Sequence, residues 1–147
     1  MTSYCIDVNV WLALSDPAHS HHTDAWAWLR LLPEGGGLIF SRFTQLALLR
    51  LLTNRTVMGD RTRTVREAWE MYARWLNDPR VEFHAEPQSM DEAFRIATAT
   101  FDAEAASKWI GDCYLLAFAH GSSATLVTFD KGLASLAKKQ GCRSVVP

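Results

Sequence analysis

Three aspartates in this chain are placed where a carboxylate rides on apolar backbone. Asp7 closes the run Tyr4-Cys5-Ile6, and Asp130 closes Leu126-Val127-Thr128-Phe129. Asp112 opens a segment with Leu115, Leu116 and Ala119 three, four and seven residues further on, a helical spacing that puts its side chain on the core-facing stripe. Each aspartate alone has a plain structural use. A helix start favours Asp as a cap, and Phe-Asp-Lys-Gly favours Asp as a turn former.

Taken together they do chemistry. Ionised carboxylates delivered to one rim repel each other, and either bind a cation or shift their pKa values upward. Carboxylate oxygens suit Mg²⁺, with Mn²⁺ able to substitute, and such ions keep open positions for water and for substrate phosphate. Metal-activated water then attacks phosphorus while the charge on the leaving oxygen is neutralised.

The elements that must position these groups alternate. Residues 3–8 read as a buried strand running into a short helix over 9–14, stopped by Asp16-Pro17. Helical spacing recurs in His22–Leu32, Phe43–Leu52, Thr64–Leu76, Asp91–Phe101, Asp112–His120 and again after Asp130. Short apolar runs at 38–40, 81–83 and 124–129 read as strands, and 143–146 as a last edge strand. Short strands separated by longer helices mean parallel pairing with right-handed crossovers. The expected fold is α/β: a three-layer α/β/α sandwich on a short, mainly parallel sheet, with about seven helices. In such a sheet ligands bind beyond the carboxyl ends of the strands, where Asp7 and Asp130 stand.

At 147 residues with 48% hydrophobic content, residues 1–147 read as a single domain. No run approaches the ~20 apolar residues of a membrane span and no secretory leader is evident, so a cytoplasmic protein is expected. Cys5, Cys113 and Cys142 form neither a Cys-x-x-Cys pair nor a disulfide-framework spacing, and read as reduced fillers. A net charge of −1 excludes a globally basic nucleic-acid binder. A local patch remains in Arg42, Arg50, Arg55, Arg61, Arg63, Arg66, Arg74 and Arg80, which is equally a solvated surface.

Four segments together carry a family resemblance: Asp7-Val8-Asn9-Val10-Trp11-Leu12-Ala13-Leu14, Phe43-Thr44-Gln45 through Arg50, Gly111-Asp112-Cys113-Tyr114-Leu115-Leu116-Ala117, and Leu126-Val127-Thr128-Phe129-Asp130. In this order they closely resemble PIN-domain ribonuclease toxins of the VapC type. The resemblance implies a Mg²⁺-dependent endoribonuclease acting on structured RNA such as tRNA or rRNA, a homodimer, and a VapB-like antitoxin partner. It implies Asp7, Asp112 and Asp130 as catalytic metal ligands, with Asn9, Thr44 and Thr128 orienting ligands or waters behind them. The family's common glutamate has no counterpart: Ala47 stands near its place. With three carboxylates, one tightly held ion is expected. The gap also motivates an alternative, a non-catalytic RNA- or protein-binding module that has lost part of its acidic site.

Gln45, Arg50, Trp11 and Trp109 are candidate contacts for RNA or antitoxin, the two tryptophans as stacking surfaces beside the site. Trp26, Trp69 and Trp75 fall at helical core spacing. His19, His21 and His22 read as exposed polar residues at a helix entrance in preference to a metal cluster.

Overall fold

The computed structural model describes residues 2–147. Its strands are β1 (Ser3–Ile6), β2 (Gly37–Phe40), β3 (Val81–Phe83), β4 (Thr125–Val127) and β5 (Ser144–Val145). They form one sheet in the order β3-β2-β1-β4-β5, and every pairing is parallel. Eight α-helices accompany them among the described residues: α1 (Val8–Ser15), α2 (His22–Leu31), α3 (Arg42–Leu52), α4 (Arg55–Met58), α5 (Val65–Leu76), α6 (Met90–Ala99), α7 (Ile110–Gly121) and α8 (Lys131–Lys139). The helix beyond the expected seven is α4, a single turn capped by the Asn54 side chain on Val57 N–H.

Period-two alternation splits the strand side chains between two cores. Ile6, Leu38, Phe40, Val81 and Val127 pack against the stripe of α1, α2, α3 and α5. Cys5, Ile39 and Leu126 face the other way, onto α6, α7 and α8. This is the expected three-layer sandwich. Strands buried on both faces carry apolar residues at successive positions, which is why they read as continuous runs.

Two helix starts are fixed by reciprocal capping boxes, Ser41 with Thr44 at α3 and Thr64 with Glu67 at α5. Thr44 is thereby committed to α3: its hydroxyl serves Ser41, so the expectation that it supports the carboxylates is replaced by a capping role.

Trp11 is corrected as well. Its ring is fully buried, stacked on Phe40 with centroids 3.9 Å apart and met edge-on by Trp75. A residue four positions beyond the sheet rim on α1 points back under the sheet, so it fills the core and presents no face to RNA. Trp75 is buried with its indole N–H on Ser15 Oγ, but Trp69 is about half exposed, contrary to its core spacing. Asp16, at the end of α1, accepts a forked hydrogen bond from Arg61 and another from Ala18 N–H. Burial alone would raise its pKa, but these bonds and the Arg61 charge hold it below the usual carboxylate value.

Candidate active site

The strand order reverses direction between β1 and β4. Crossovers run outward from β1 through β2 to β3 on one face, then the chain returns to β4 and β5 over the other. At such a switch point the two diverging connections leave a crevice at the carboxyl ends of the adjacent strands. The register Ile6↔Val127 sets Asp7 opposite Thr128 at the mouth of this crevice.

Thr128 is fully buried and its hydroxyl is a junction. It donates to Asp7 Oδ2 at 2.7 Å and accepts from Asn9 Nδ2 and from Asp130 N–H. Asn9 closes the circuit by accepting from Phe129 N–H. Asp7 Oδ1 accepts from Val8 N–H, capping α1, and Asp130 Oδ1 accepts from Gly132 and Leu133 N–H, capping α8. The turn use foreseen for Asp130 is therefore seen, and capping falls to Asp7 where it was foreseen for Asp112; each of the two capping carboxylates leaves lone pairs over for a ligand. Asn9 and Thr128 thus tie Asp7 to the backbone that leads into Asp130.

Asp112 differs. It lies in the first turn of α7, whose cap is Trp109, and makes no capping bond. Burial pushes its pKa up to about 6, aided by the charges of Asp130 and Asp7. Asp7 is also raised, first by burial and in part by Asp130, against the lowering effect of its bonds from Thr128 and Val8. The three carboxylates thus share one electrostatic neighbourhood, although among the described residues no three His, Cys, Asp or Glu side chains are drawn tightly enough to grip an ion as they stand. The donor set fits a hard divalent cation: all-oxygen, acidic, and partly desolvated, so that a positive charge would relieve both the burial cost and the repulsion.

The other sequence candidates scatter. Gln45 is buried and accepts from Arg42 at 2.5 Å, which removes it from the RNA-facing surface. Arg50 is exposed and lines a groove of about 540 Å³ with Val8, Ala47, Leu51, Thr53 and Asn54. Ala47 thus shares a hollow with the residue that follows Asp7. Trp109 is half-buried beside α8, near Gly132. Sequence reasoning missed Phe43, which packs on Gly111 next to Asp112, and Phe129, on which His21 stacks with centroids 4.4 Å apart. Both stand in the segments that carry the family resemblance, which is the signal that could have shown them. Of the arginines, Arg61 and Arg80 are spent on Asp16 and Asp78.

A parallel α/β/α sandwich carrying an acidic crevice at its switch point is the class of protein this chain belongs to, with a site suited to a hard divalent cation. The chain belongs to the PIN domain family, whose match spans residues 4–139. It is 44% identical over 128 residues to Ribonuclease VapC41 of Mycobacterium tuberculosis, a match covering 84% of this chain and 86% of that protein. Ribonuclease VapC39 of the same organism is 29% identical over 134 residues, covering 90% and 91%. Among solved structures, VapBC2 from Rickettsia felis bound to a promoter DNA fragment superposes with a TM-score of 0.70 at 12% identity, over 100% of this chain and 99% of that one. VapC20 of M. tuberculosis, described as a sarcin-ricin loop cleaving toxin, gives 0.70 at 18% identity over 99% and 100%. These two likenesses speak to the fold. No helix among the described residues is long and apolar enough to cross a membrane.

Proposed function

We propose that this chain is the toxin ribonuclease of a VapBC-type toxin-antitoxin pair, hydrolysing RNA phosphodiester bonds with a divalent cation, Mg²⁺ or Mn²⁺, held by Asp7, Asp112 and Asp130. The observation that carries the reading is the delivery of Asp7 and Asp130 to the β1/β4 switch point, with Asp112 on α7 near enough that their charges help raise its pKa. A bound cation would lower the pKa of a water and offset charge on phosphate oxygens.

The chain's own residues supply position and charge. Thr128 and Val8 N–H fix both oxygens of Asp7, and the α8 N-terminus fixes one oxygen of Asp130. Asp112, without a capping duty and with its pKa raised to about 6, is a carboxylate whose charge can respond to a cation or to a proton. The relatives are named ribonucleases, and a 44% identical one over most of the chain supports RNA as substrate here. Structured RNA such as tRNA or rRNA, a cytoplasmic setting, action of residues 1–147 as one unit and a homodimer belong to the same reading.

A VapB-like antitoxin and a second copy both need apolar surface, and of the large exposed apolar side chains Phe43, Leu46, Val57, Val65, Trp69 and Leu76 lie on α3, α4 and α5.

Purified protein with Mg²⁺ should cut RNA to leave 5′-phosphate and 3′-hydroxyl ends, and EDTA or Asp7→Ala should abolish this. Cyclic 2′,3′-phosphate products would exclude hydrolysis by water. An Asp7→Ala protein as toxic in cells as the parent would favour a binding module in place of a nuclease.

A further inference from the structure

The segment leading into Asp112 builds a feature that the carboxylates do not require. The short turn Ser107–Trp109 ends with the Trp109 ring stacked on Phe101, centroids 5.4 Å apart and planes within 11°. The ammonium of Lys108, an exposed residue, lies over the same indole, 5.4 Å from its centroid. Beside them opens a hollow of about 390 Å³ lined by Glu104, Ala105, Ala106, Ser107, Lys108 and Trp109, within the range of small-ligand sites.

The ring's position is tied to the acidic crevice. A Cβ built on Gly132 would stand 3.5 Å from the outer edge of Trp109 and 3.2 Å from Asp130 Oδ1. One glycine therefore separates the indole from a carboxylate of the site: a Cβ there would be tight against Asp130 Oδ1 and in ordinary contact with the Trp109 edge. The distance from indole edge to carboxylate is bridged by that single residue, so a nucleotide whose phosphate lies at Asp130 has its base within reach of Trp109.

We propose that Trp109, oriented by Phe101 and flanked by Lys108, is a stacking subsite for the base of a nucleotide adjoining the cleaved phosphate. This rests on the ribonuclease reading. A base supplies the flat π surface that an oriented indole takes without regard to base identity. The Lys108 ammonium, held over the ring when no base is there, then turns to the neighbouring phosphate.

The test uses a labelled single-stranded RNA oligonucleotide containing the cleaved sequence. Binding is followed by anisotropy in EDTA and cleavage kinetics in Mg²⁺. An abasic nucleotide is placed in turn on each side of the cleaved bond. For the wild-type protein, one of the two positions should weaken binding and raise KM roughly tenfold, the size of a base–aromatic stack. Trp109→Leu should show that loss with the intact RNA and little further loss with the abasic one, while Trp109→Phe restores most of it. Lys108→Gln should lower the salt dependence of binding by about one phosphate contact.

Overturning results are wild-type indifference to both abasic positions, additive losses from the abasic site and Trp109→Leu, no RNA binding at all, or a loss confined to kcat with KM unmoved. Because binding is read without metal, base-dependent binding with no cleavage would sink the nuclease reading and leave the subsite standing. Cleavage without base dependence would do the reverse.

Discussion

The Thr128 hydroxyl donates to Asp7 Oδ2 at 2.7 Å across the β1–β4 seam, joining residues 121 positions apart. The same oxygen accepts from Asp130 N–H, so one buried hydroxyl sets two of the three carboxylates. Thr128→Val keeps the shape and removes this junction. The Asp7 pKa should rise further, since the lost bond now lowers it. Affinity for Mn²⁺ by calorimetry should fall about 10–100-fold, as for other groups behind metal ligands, and Thr128→Ser should recover it. Unchanged Mn²⁺ binding in Thr128→Val would remove Thr128 from the site.

Metal-free protein should lose stability as pH rises through the acidic range. Asp112 has an ordinary value of 3.8 and a folded value of about 6, so between these pH values the folded state holds a proton that the unfolded chain has released. Folding is favoured by acid in that window, and the advantage is gone above about pH 6. Asp16, with a lowered folded pKa, has the opposite sense, but its stability is lost below the window, as pH falls through its folded value. In EDTA, melting temperature should therefore fall between pH 3.8 and about 6, while His19, whose folded pKa burial lowers, adds the opposite trend nearer its ordinary value of 6.5. Asp112→Asn should flatten that slope and melt higher at neutral pH, and Mg²⁺ should offset it in the parent. A melting temperature that climbs through the window, or a slope untouched by Asp112→Asn, would contradict the assignment.

Ala47 lines the groove that begins at Val8. Ala47→Glu places a fourth carboxylate there, and the metal stoichiometry measured by calorimetry should go from one ion to two. If the variant still takes one ion with unchanged affinity, the place of Ala47 is not the missing ligand position.

Trp11→Ala should cost about 3–5 kcal/mol in denaturant unfolding, the range for truncating a fully buried aromatic, because it empties the space against Phe40 and Trp75. Arg50→Ala, at an exposed position, should stay within about 0.5 kcal/mol. A Trp11→Ala protein of parental stability that had lost RNA binding would reinstate Trp11 as a contact.

The layers and the strand-end carboxylates were legible because they depend on local pattern. Apolar runs ending in Asp7 and Asp130 identify buried strands that stop at a rim, and the polar Thr128 inside such a run already marks an unusual demand. The β1–β4 adjacency was not legible, since strand order depends on contacts far apart in sequence, and it is this adjacency that turns separate aspartates into one site. Trp11, Thr44 and Gln45 depart from their expected roles because neighbouring residues decide which way each side chain turns, and Gln45 is buried against Arg42. Helix α1 turns Trp11 under the sheet and α3 consumes Thr44 in its own cap. The Trp109–Gly132 approach lies between two chain segments, and nothing in either segment announces it.

The site is written at both extremes of the chain. Asp7 arrives with the first strand, but Thr128 and Asp130 arrive only with the fourth, after all of the sheet except its β5 edge. Until β4 docks beside β1, these carboxylates have no common crevice. For an enzyme proposed to cut the RNA of the cell that makes it, synthesis and arming are thus separate events.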